Sequence, residues 1–575
     1  MYFRKITIGL IIILSFFLIE LFTLSDYGIN WDEPAHYMRG QAYLYYLLTG
    51  KENYKELLRV KSHYEKSSFY EIPKDVEYED TSQFRRSIYQ YDREDKVRYT
   101  YHYYAQFDGG HPPINGILAS LSNHIFYQKL GWLDDIQSYH LFIIVTSTVL
   151  VGSIFFFVTQ YFGLFSGVIA SLSLILYPLF FSESHFNIKD PVETTFFTLT
   201  LFTFFKGITS NSWKWILASA AFTGLALGTK LNIIFISLIL GPWLLLYKWN
   251  KIKKMKWPFT KGVSISLFLL PIISFLIFYL SWPFLWQDFK NVLSILSYYQ
   301  DIGSRLYQPT DYILFRAINT YAWKWVLFIT PLSTLLLFIL GIIYTINSGF
   351  KEKTKLSLLI LFWFLVPLLR VSTPTAGIYG GVRQVMEYIP AMAILTGIGA
   401  IQGIRYLFKI IKLKPESLKK IKWILLIIFV PITIKIVSIH PNENVYFNPL
   451  IGGLSGARER NFADWGVTLG SPYKQGVDWL NNNTEKDANL TLVRGYTQNV
   501  PRISLRKDIN FSDHYFSGKE KKGEYLMEVT DYNWLLTIPT DKRLYIESLD
   551  PVHEVKVDGV PILTIWKNDK IHSKN

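Results

Sequence analysis

The chain has no cysteine, which excludes disulfides, thiolate metal sites and a cysteine nucleophile, and leaves its redox compartment undecided. It is also poor in charge. Asp, Glu, Lys and Arg make up 18% of the 575 residues, against 50% hydrophobic and 17% aromatic residues. A chain this long and apolar is not a single soluble domain; it reads as a polytopic membrane protein. Acidic residues are the scarcer sign, 45 against 59 Lys and Arg, for a formal net charge of +14. Such an excess raises the question of nucleic acid, but the basic residues fall in short clusters between apolar segments, where they govern topology, so no nucleic-acid partner is expected. Internal repeats and low-complexity tracts are absent as well.

What is present is a series of long apolar runs. The first, Ile6 to Leu24, follows Arg4 and Lys5 and has no small-residue cleavage site before the polar "SDYG", as in a retained anchor with a cytoplasmic N-terminus. Further runs lie at 139–162, 163–182, 191–206, 213–229, 231–247, 262–282, 325–346, 356–370, 388–404 and 423–439. The total is about eleven spans. Under this count the basic connections 248–261, 350–355 and 405–420 all fall in the cytoplasm, in agreement with the positive-inside rule. The expected architecture is mainly α: a transmembrane domain over 1–439 that includes a large first outer loop at 25–138, and an exported C-terminal α/β domain over 440–575. In that last part a helix-like "YKQGVDWLNN" precedes the strand candidates "NLTLVRG", "GEYLMEV", "HEVKV" and "VPILTIW". The localisation expected is multi-pass, in the cell (plasma) membrane, with the C-terminal domain extracytoplasmic.

The polar residues at the outer helix ends carry the functional signal. "NWDEPAHY" (30–37) supplies Asp32, Glu33 and His36; "GGHPP" (109–113) supplies His111; "SESHFNIKDP" (182–191) supplies His185, Lys189 and Asp190. "GTKLN" (228–232) interrupts apolar sequence with Lys230, and "YGGVRQVMEY" (379–388) places Arg383 before another span. The topology gathers all of these at one level of the membrane, where ionisable groups are costly unless they pair or serve a site. Carboxylates mixed with Lys and Arg suit a reaction in which a base takes a proton while cations hold a phosphate.

These landmarks, "NWDEPAHY", "HPP", "HFNIKDP", "GTK" and "GGVRQVMEYIP" in this order, resemble those of the GT-C fold glycosyltransferases related to protein O-mannosyltransferases and lipid A aminoarabinose transferases. The stretch "HPNENVYFNPLIGGLSGA" (440–457), with "YKQGVDWLNN" after it, resembles the start of the exported domain in a prokaryotic branch of that group. The resemblance implies inverting transfer of one sugar from a polyprenyl-phosphate carrier to an acceptor on protein, lipid or polysaccharide at the outer face. It implies Asp32 as the base, with Glu33 sharing or orienting that role, and Asp190 as the second-loop acid that positions groups. Lys189, Lys230 and Arg383 supply positive charge for the carrier phosphate. His111 stands where several relatives carry Lys, which weakens its assignment to phosphate contact. The 51–106 insertion is longer than the family pattern and bears on acceptor choice.

Each residue also has a plainer reading. Asp32 and Glu33 suit a helix cap, Lys189 and Lys230 can snorkel to headgroups, and His111 and His185 suit polar networks, while His36 stays a further site candidate. Histidines with carboxylates leave a divalent cation open, although no sugar nucleotide is implied that demands one. Gly397, Gly399 and Gly403 lie inside a span, where close helix packing explains them better than dinucleotide binding. Asn482, Asn489 and Asn510 begin N-x-[ST] sequons. Other functions in play are an oligosaccharyltransferase using a pyrophosphate-linked glycan and a transporter of an anionic lipid or solute. The transporter would show inverted repeats and midplane charges that this sequence lacks.

Overall fold

The structure, a computed structural model, describes residues 2–57, 61–62, 76–77, 85–90, 99–305, 310–412, 424–493, 497–511, 523–529 and 540–569. Most of the 51–106 insertion therefore lies outside the described residues. The chain is mainly helical, with a small mixed sheet near its C-terminal end.

All eleven apolar runs are helical. Among the described residues six helices are long and apolar enough to cross a membrane, or seven if one bent pair counts as a single span. This is fewer than the eleven expected, for reasons of length and charge. Trp213–Leu227, Leu356–Arg370 and Ile424–Ile439 are apolar but short, and Asp190–Thr209 carries Asp190, Glu193 and Lys206. The expected span 325–346 is two helices, Tyr321–Ile329 and Leu332–Ser348, because Pro331 lacks the N–H that would continue the ladder.

Burial separates the bundle into a shell and a centre. The first helix buries only 17% of its apolar window and presents Leu10, Ile11, Leu14, Leu18 and Ile19 outward. Gln137–Phe162 and Tyr388–Ile410 bury 72% and 78%. The latter packs against Leu332–Ser348 backbone to backbone: a Cβ on Gly399 would stand 1.9 Å from the Leu337 carbonyl oxygen, so no larger residue fits. Helix packing is thus the role of this glycine-rich stretch, as its position inside a span suggested.

One connection departs from expectation and another agrees with it. Leu164–Ile175 is followed by Pro178–Phe186 at an angle of 64°, so the "SESHF" stretch is helix and not loop. Pro178 explains this: it closes the first helix and opens the second, where its missing N–H is harmless. At "GTKLN" the chain leaves the helix as expected, with Lys230 extended (φ −159°, ψ 138°) before a short 3-10 segment, Leu231–Ile236.

Near the C-terminus the helix Tyr473–Asn483 packs on a five-stranded sheet ordered 510–511, 489–492, 525–529, 560–567, 551–557. The first two pairings are parallel and the last two antiparallel. The hairpin turns on Asp558 and Gly559, both with positive φ (51° and 76°), the pair that a tight primed turn favours. The strand Asn510–Phe511 and the helix Thr540–Glu547 carry no periodic signal in sequence and were not expected. Residues 445–463 do not join the sheet; Val445, Phe447 and Phe462 bury themselves in the transmembrane core beside Trp325.

Candidate active site

Two asparagines build the turns that present the site. Asn30 Oδ1 accepts the Asp32 backbone N–H at 3.1 Å, while the Glu33 carboxylate accepts the Asn30 backbone N–H at 2.8 Å. This local exchange, with Pro34 in the first turn, starts the helix Glu33–Thr49 without using Asp32 as a capping group. Asn187 repeats the device. Its Oδ1 accepts the N–H groups of Lys189 and Asp190, both at 3.0 Å, and its Nδ2 donates to Asp190 Oδ2 at 2.9 Å. Lys189 and Asp190 are thereby fixed at the start of Asp190–Thr209.

The resulting cluster is compact. Arg383 NH1 lies 3.2 Å from Asp32 Oδ2 and 3.2 Å from Asp190 Oδ2, bridging the two carboxylates. Lys230 Nζ donates to Asp190 Oδ1 at 2.6 Å and to the Gln384 carbonyl oxygen at 2.8 Å. Lys189 Nζ stands 3.6 Å from Asp32 Oδ2. Three cations surround two carboxylates, so one formal positive charge is uncompensated within the cluster. The buried Arg383 Nε also finds no acceptor among the described residues. Asp190 is buried, whereas the Asp32 side chain is 38% exposed, the most open member of the set.

The charges act on one another across short distances. Burial disfavours the Asp32 carboxylate, but Lys189 and Arg383 outweigh it and hold the group far below the usual carboxylate range. Arg383 is correspondingly held above its ordinary value: burial opposes its charge, and Asp32 and Asp190 more than offset that. Burial, Arg39 and Lys189 lower His36, and burial, Lys189 and Arg39 lower His111, so both rings are neutral at neutral pH.

Of the residues singled out in sequence, Asp32, Lys189, Asp190, Lys230 and Arg383 come together. His36 and His111 flank them, with ring centres 5.9 Å apart. His36 Nδ1 accepts from Arg39, and His111 meets Tyr298 at 3.4 Å. Glu33 and His185 turn away. Glu33 accepts from Tyr37 at 2.6 Å and from the buried His140 at 3.1 Å. His185 sits between Glu20 at 3.1 Å and Thr23 at 2.9 Å, stacked on Tyr27. The plainer reading of a polar network therefore fits His185, while the helix-cap reading does not fit Asp32. Among the described residues no group of three or more His, Asp or Glu is arranged to hold a metal ion.

Because Glu33 is fully buried and anchors three donors, Glu33→Ala is expected to destabilise the protein by about 3 kcal/mol. Detergent melting measures this. Carrier binding by the folded fraction should stay within about twofold of wild type; a larger change would place Glu33 in the site itself.

Sequence reading missed a supporting layer. Arg39 pairs with Asp108 at 3.0 Å and donates to the His111 carbonyl oxygen at 2.8 Å. Arg370 and Asn232 both reach the Gln384 carbonyl oxygen and Glu387. Arg370 at the end of an apolar run and Glu387 inside the Arg383 motif were visible signals; their meeting was not.

Comparison with known proteins adds one sequence match. Residues 110–277 match the family model described as dolichyl-phosphate-mannose-protein mannosyltransferase, a stretch that includes His111, Lys189, Asp190 and Lys230 but not Asp32 or Arg383. No curated protein sequence matches. Solved structures that overlay include ArnT from Cupriavidus metallidurans bound to undecaprenyl phosphate, at 11% identity and TM-score 0.45 over 99% of both chains. The apo oligosaccharyltransferase of Archaeoglobus fulgidus overlays at 10% identity and TM-score 0.45, over 98% of this chain and 75% of that one. The resemblance read from the motifs thus has a family match behind it over residues 110–277, in a chain whose described residues include six helices long and apolar enough to cross a membrane.

Proposed function

We propose that this protein is an inverting membrane glycosyltransferase that moves a single sugar from a polyprenyl-phosphate carrier to an acceptor hydroxyl on a protein, lipid or glycan. The observation that carries the reading is the bridge of Arg383 between Asp32 and Asp190, with Lys189 and Lys230 beside it. A base and a phosphate-binding set share one short line of contacts.

In this reading the acceptor hydroxyl gives its proton to Asp32 as its oxygen forms a bond to the anomeric carbon. The bond from that carbon to the phosphate oxygen breaks, and the polyprenyl phosphate departs with the electron pair. The phosphate gains negative charge as it leaves, so Arg383, Lys189 and Lys230 bind it more strongly in the transition state than in the ground state. A general acid is not needed for so good a leaving group. Asp190 holds Lys230 and Arg383 in place, and Glu33 helps to orient Asp32 through Asn30.

The resting ion pairs have a consequence for timing. While Lys189 and Arg383 are bound to Asp32, the carboxylate is too acidic to be an effective base. A carrier phosphate that competes for those cations releases Asp32 and raises its basicity. Donor binding thereby prepares the base.

Residues 1–439 form the catalytic membrane domain in this reading, with 25–138 as the outer loop that supplies Asp32, and 440–575 form the exported domain. The N-terminus is cytoplasmic and the site faces outward. A periplasmic-type enzymatic reporter fused after Asn575 is expected to be active; activity of a cytoplasm-specific reporter there would overturn the sidedness. The function itself is tested by incubating purified protein with radiolabelled polyprenyl-phosphate monosaccharides and membrane acceptors, Asp32→Asn alongside. Consumption of one donor by wild type alone supports the proposal. Consumption of none, by folded protein, overturns it.

A further inference from the structure

The motif that carries Arg383 begins with two glycines, and a residue outside the motif holds them. Gly380 and Gly381 both have positive φ, 64° and 75°. A Cβ on Gly381 would stand 3.1 Å from the Trp325 ring, so glycine is required there for both conformation and space. A turn of two glycines has little stiffness of its own. It is pinned by Asp464, whose Oδ2 accepts the Gly380 N–H at 3.0 Å and the Tyr321 hydroxyl at 2.5 Å. The Tyr321 oxygen in turn accepts the Gly381 N–H at 3.0 Å. Both glycine N–H groups are thus satisfied by one connected pair of side chains. Asp464 itself stands in the left-handed region, φ 62°, which Asp and Asn tolerate better than most residues.

We infer that Asp464 is a positioning residue: through Tyr321 and the glycine turn it sets where the Arg383 guanidinium stands, and so ties carrier affinity to the segment that follows the last apolar helix. The inference rests on the reading of Arg383 as a phosphate ligand. Arg383 lies two residues beyond Gly381, and its NH1 must reach Asp32 and Asp190 at once, both at 3.2 Å. A turn free to rotate would break that double contact. The neighbouring 445–463 segment is anchored independently, since Asn448 donates to the carbonyl oxygens of Leu327 at 2.7 Å and Thr330 at 2.8 Å. Asp464 therefore hangs from a fixed point, as a latch requires.

The chemistry of the latch separates positioning from mere folding. Both contacts to Asp464 fall on a single oxygen, so an amide oxygen can take them, and Asn tolerates the same backbone. Asp464→Asn should bind undecaprenyl phosphate within about twofold of wild type, whereas Asp464→Ala should bind it about tenfold more weakly. Tyr321→Phe, which removes one arm, should fall between them. In the transfer assay Asp464→Ala should raise the donor KM with a smaller change in kcat, because the folded enzyme keeps Asp32. Binding is measured on detergent-purified full-length protein, with Arg383→Ala in the same series and melting curves for each variant. Unchanged affinity in Asp464→Ala and Tyr321→Phe, with Arg383→Ala impaired, overturns the latch alone. Unchanged affinity in Arg383→Ala removes the phosphate reading beneath it. Equal loss in Asp464→Asn and Asp464→Ala also overturns the latch, because the hydrogen-bond geometry would then not be what matters.

Discussion

Transfer by Asp32→Asn is expected to fall by about two to four orders of magnitude, the usual contribution of a positioned general base. Carrier binding should be retained or tightened in the same variant. Asp32 competes with the incoming phosphate for Lys189 and Arg383, and the neutral amide competes less. The opposite pattern, lost affinity with near-normal turnover, would mean that Asp32 serves only to hold the cations. The pH dependence gives a second reading of the same group. In the free protein Asp32 stays ionised well below the usual carboxylate range, so kcat/KM should show no acid limb from this residue between about pH 8 and 5. With donor bound, the phosphate draws Lys189 and Arg383 away, and the acid limb of kcat should move upward relative to that of kcat/KM. Identical acid limbs in both profiles would show that the carrier phosphate does not displace these ion pairs.

Arg383→Ala is expected to weaken binding of the carrier phosphate by about a hundredfold, the scale of truncating one member of a buried charge pair. The loss has two parts. A ligand for the phosphate is gone, and Asp32 and Asp190, which both faced the guanidinium, are left turned toward an incoming anion. Arg383→Lys should recover only part of the affinity, because a single ammonium cannot reproduce the guanidinium fork. The double variant Arg383→Ala with Asp32→Asn should bind the carrier better than Arg383→Ala alone, since one repelling carboxylate has been neutralised. No recovery of affinity in the double variant would indicate that Asp32 does not repel the bound phosphate.

Much of this site was legible because its residues interrupt apolar sequence. Lys189, Asp190 and Lys230 sit where helices start or break, and an ionisable group in such a place stands out. Arg39 and Asp108 were overlooked for the opposite reason: each lies in a polar stretch where charge is ordinary, and only their buried pairing marks them. Glu33 and His185 illustrate a further limit. Both belong to motifs that do contribute to the cluster, but neighbours along a helix point to different faces. Glu33 follows Asp32 directly and yet turns toward Tyr37 and His140, while His185 turns toward Glu20. Length, internal charge and Pro331 divide some of the apolar runs into helices too short or too polar to meet the length of a full span, which a hydropathy run does not register.

By itself the sequence determined that this is a helical membrane chain, where its helices begin and break, and that acids and bases gather at their ends. Those features are local, because hydrophobic periodicity, proline and charge act within a few turns of the chain. Only the tertiary structure decided that Arg383 joins residues 351 and 193 positions away from it into one ion-pair line. Nor could anything local decide that Asp464 reaches the glycine turn before it. Long-range pairings of buried charge depend on how the helices pack, and their distances are set by the whole fold rather than by any one segment.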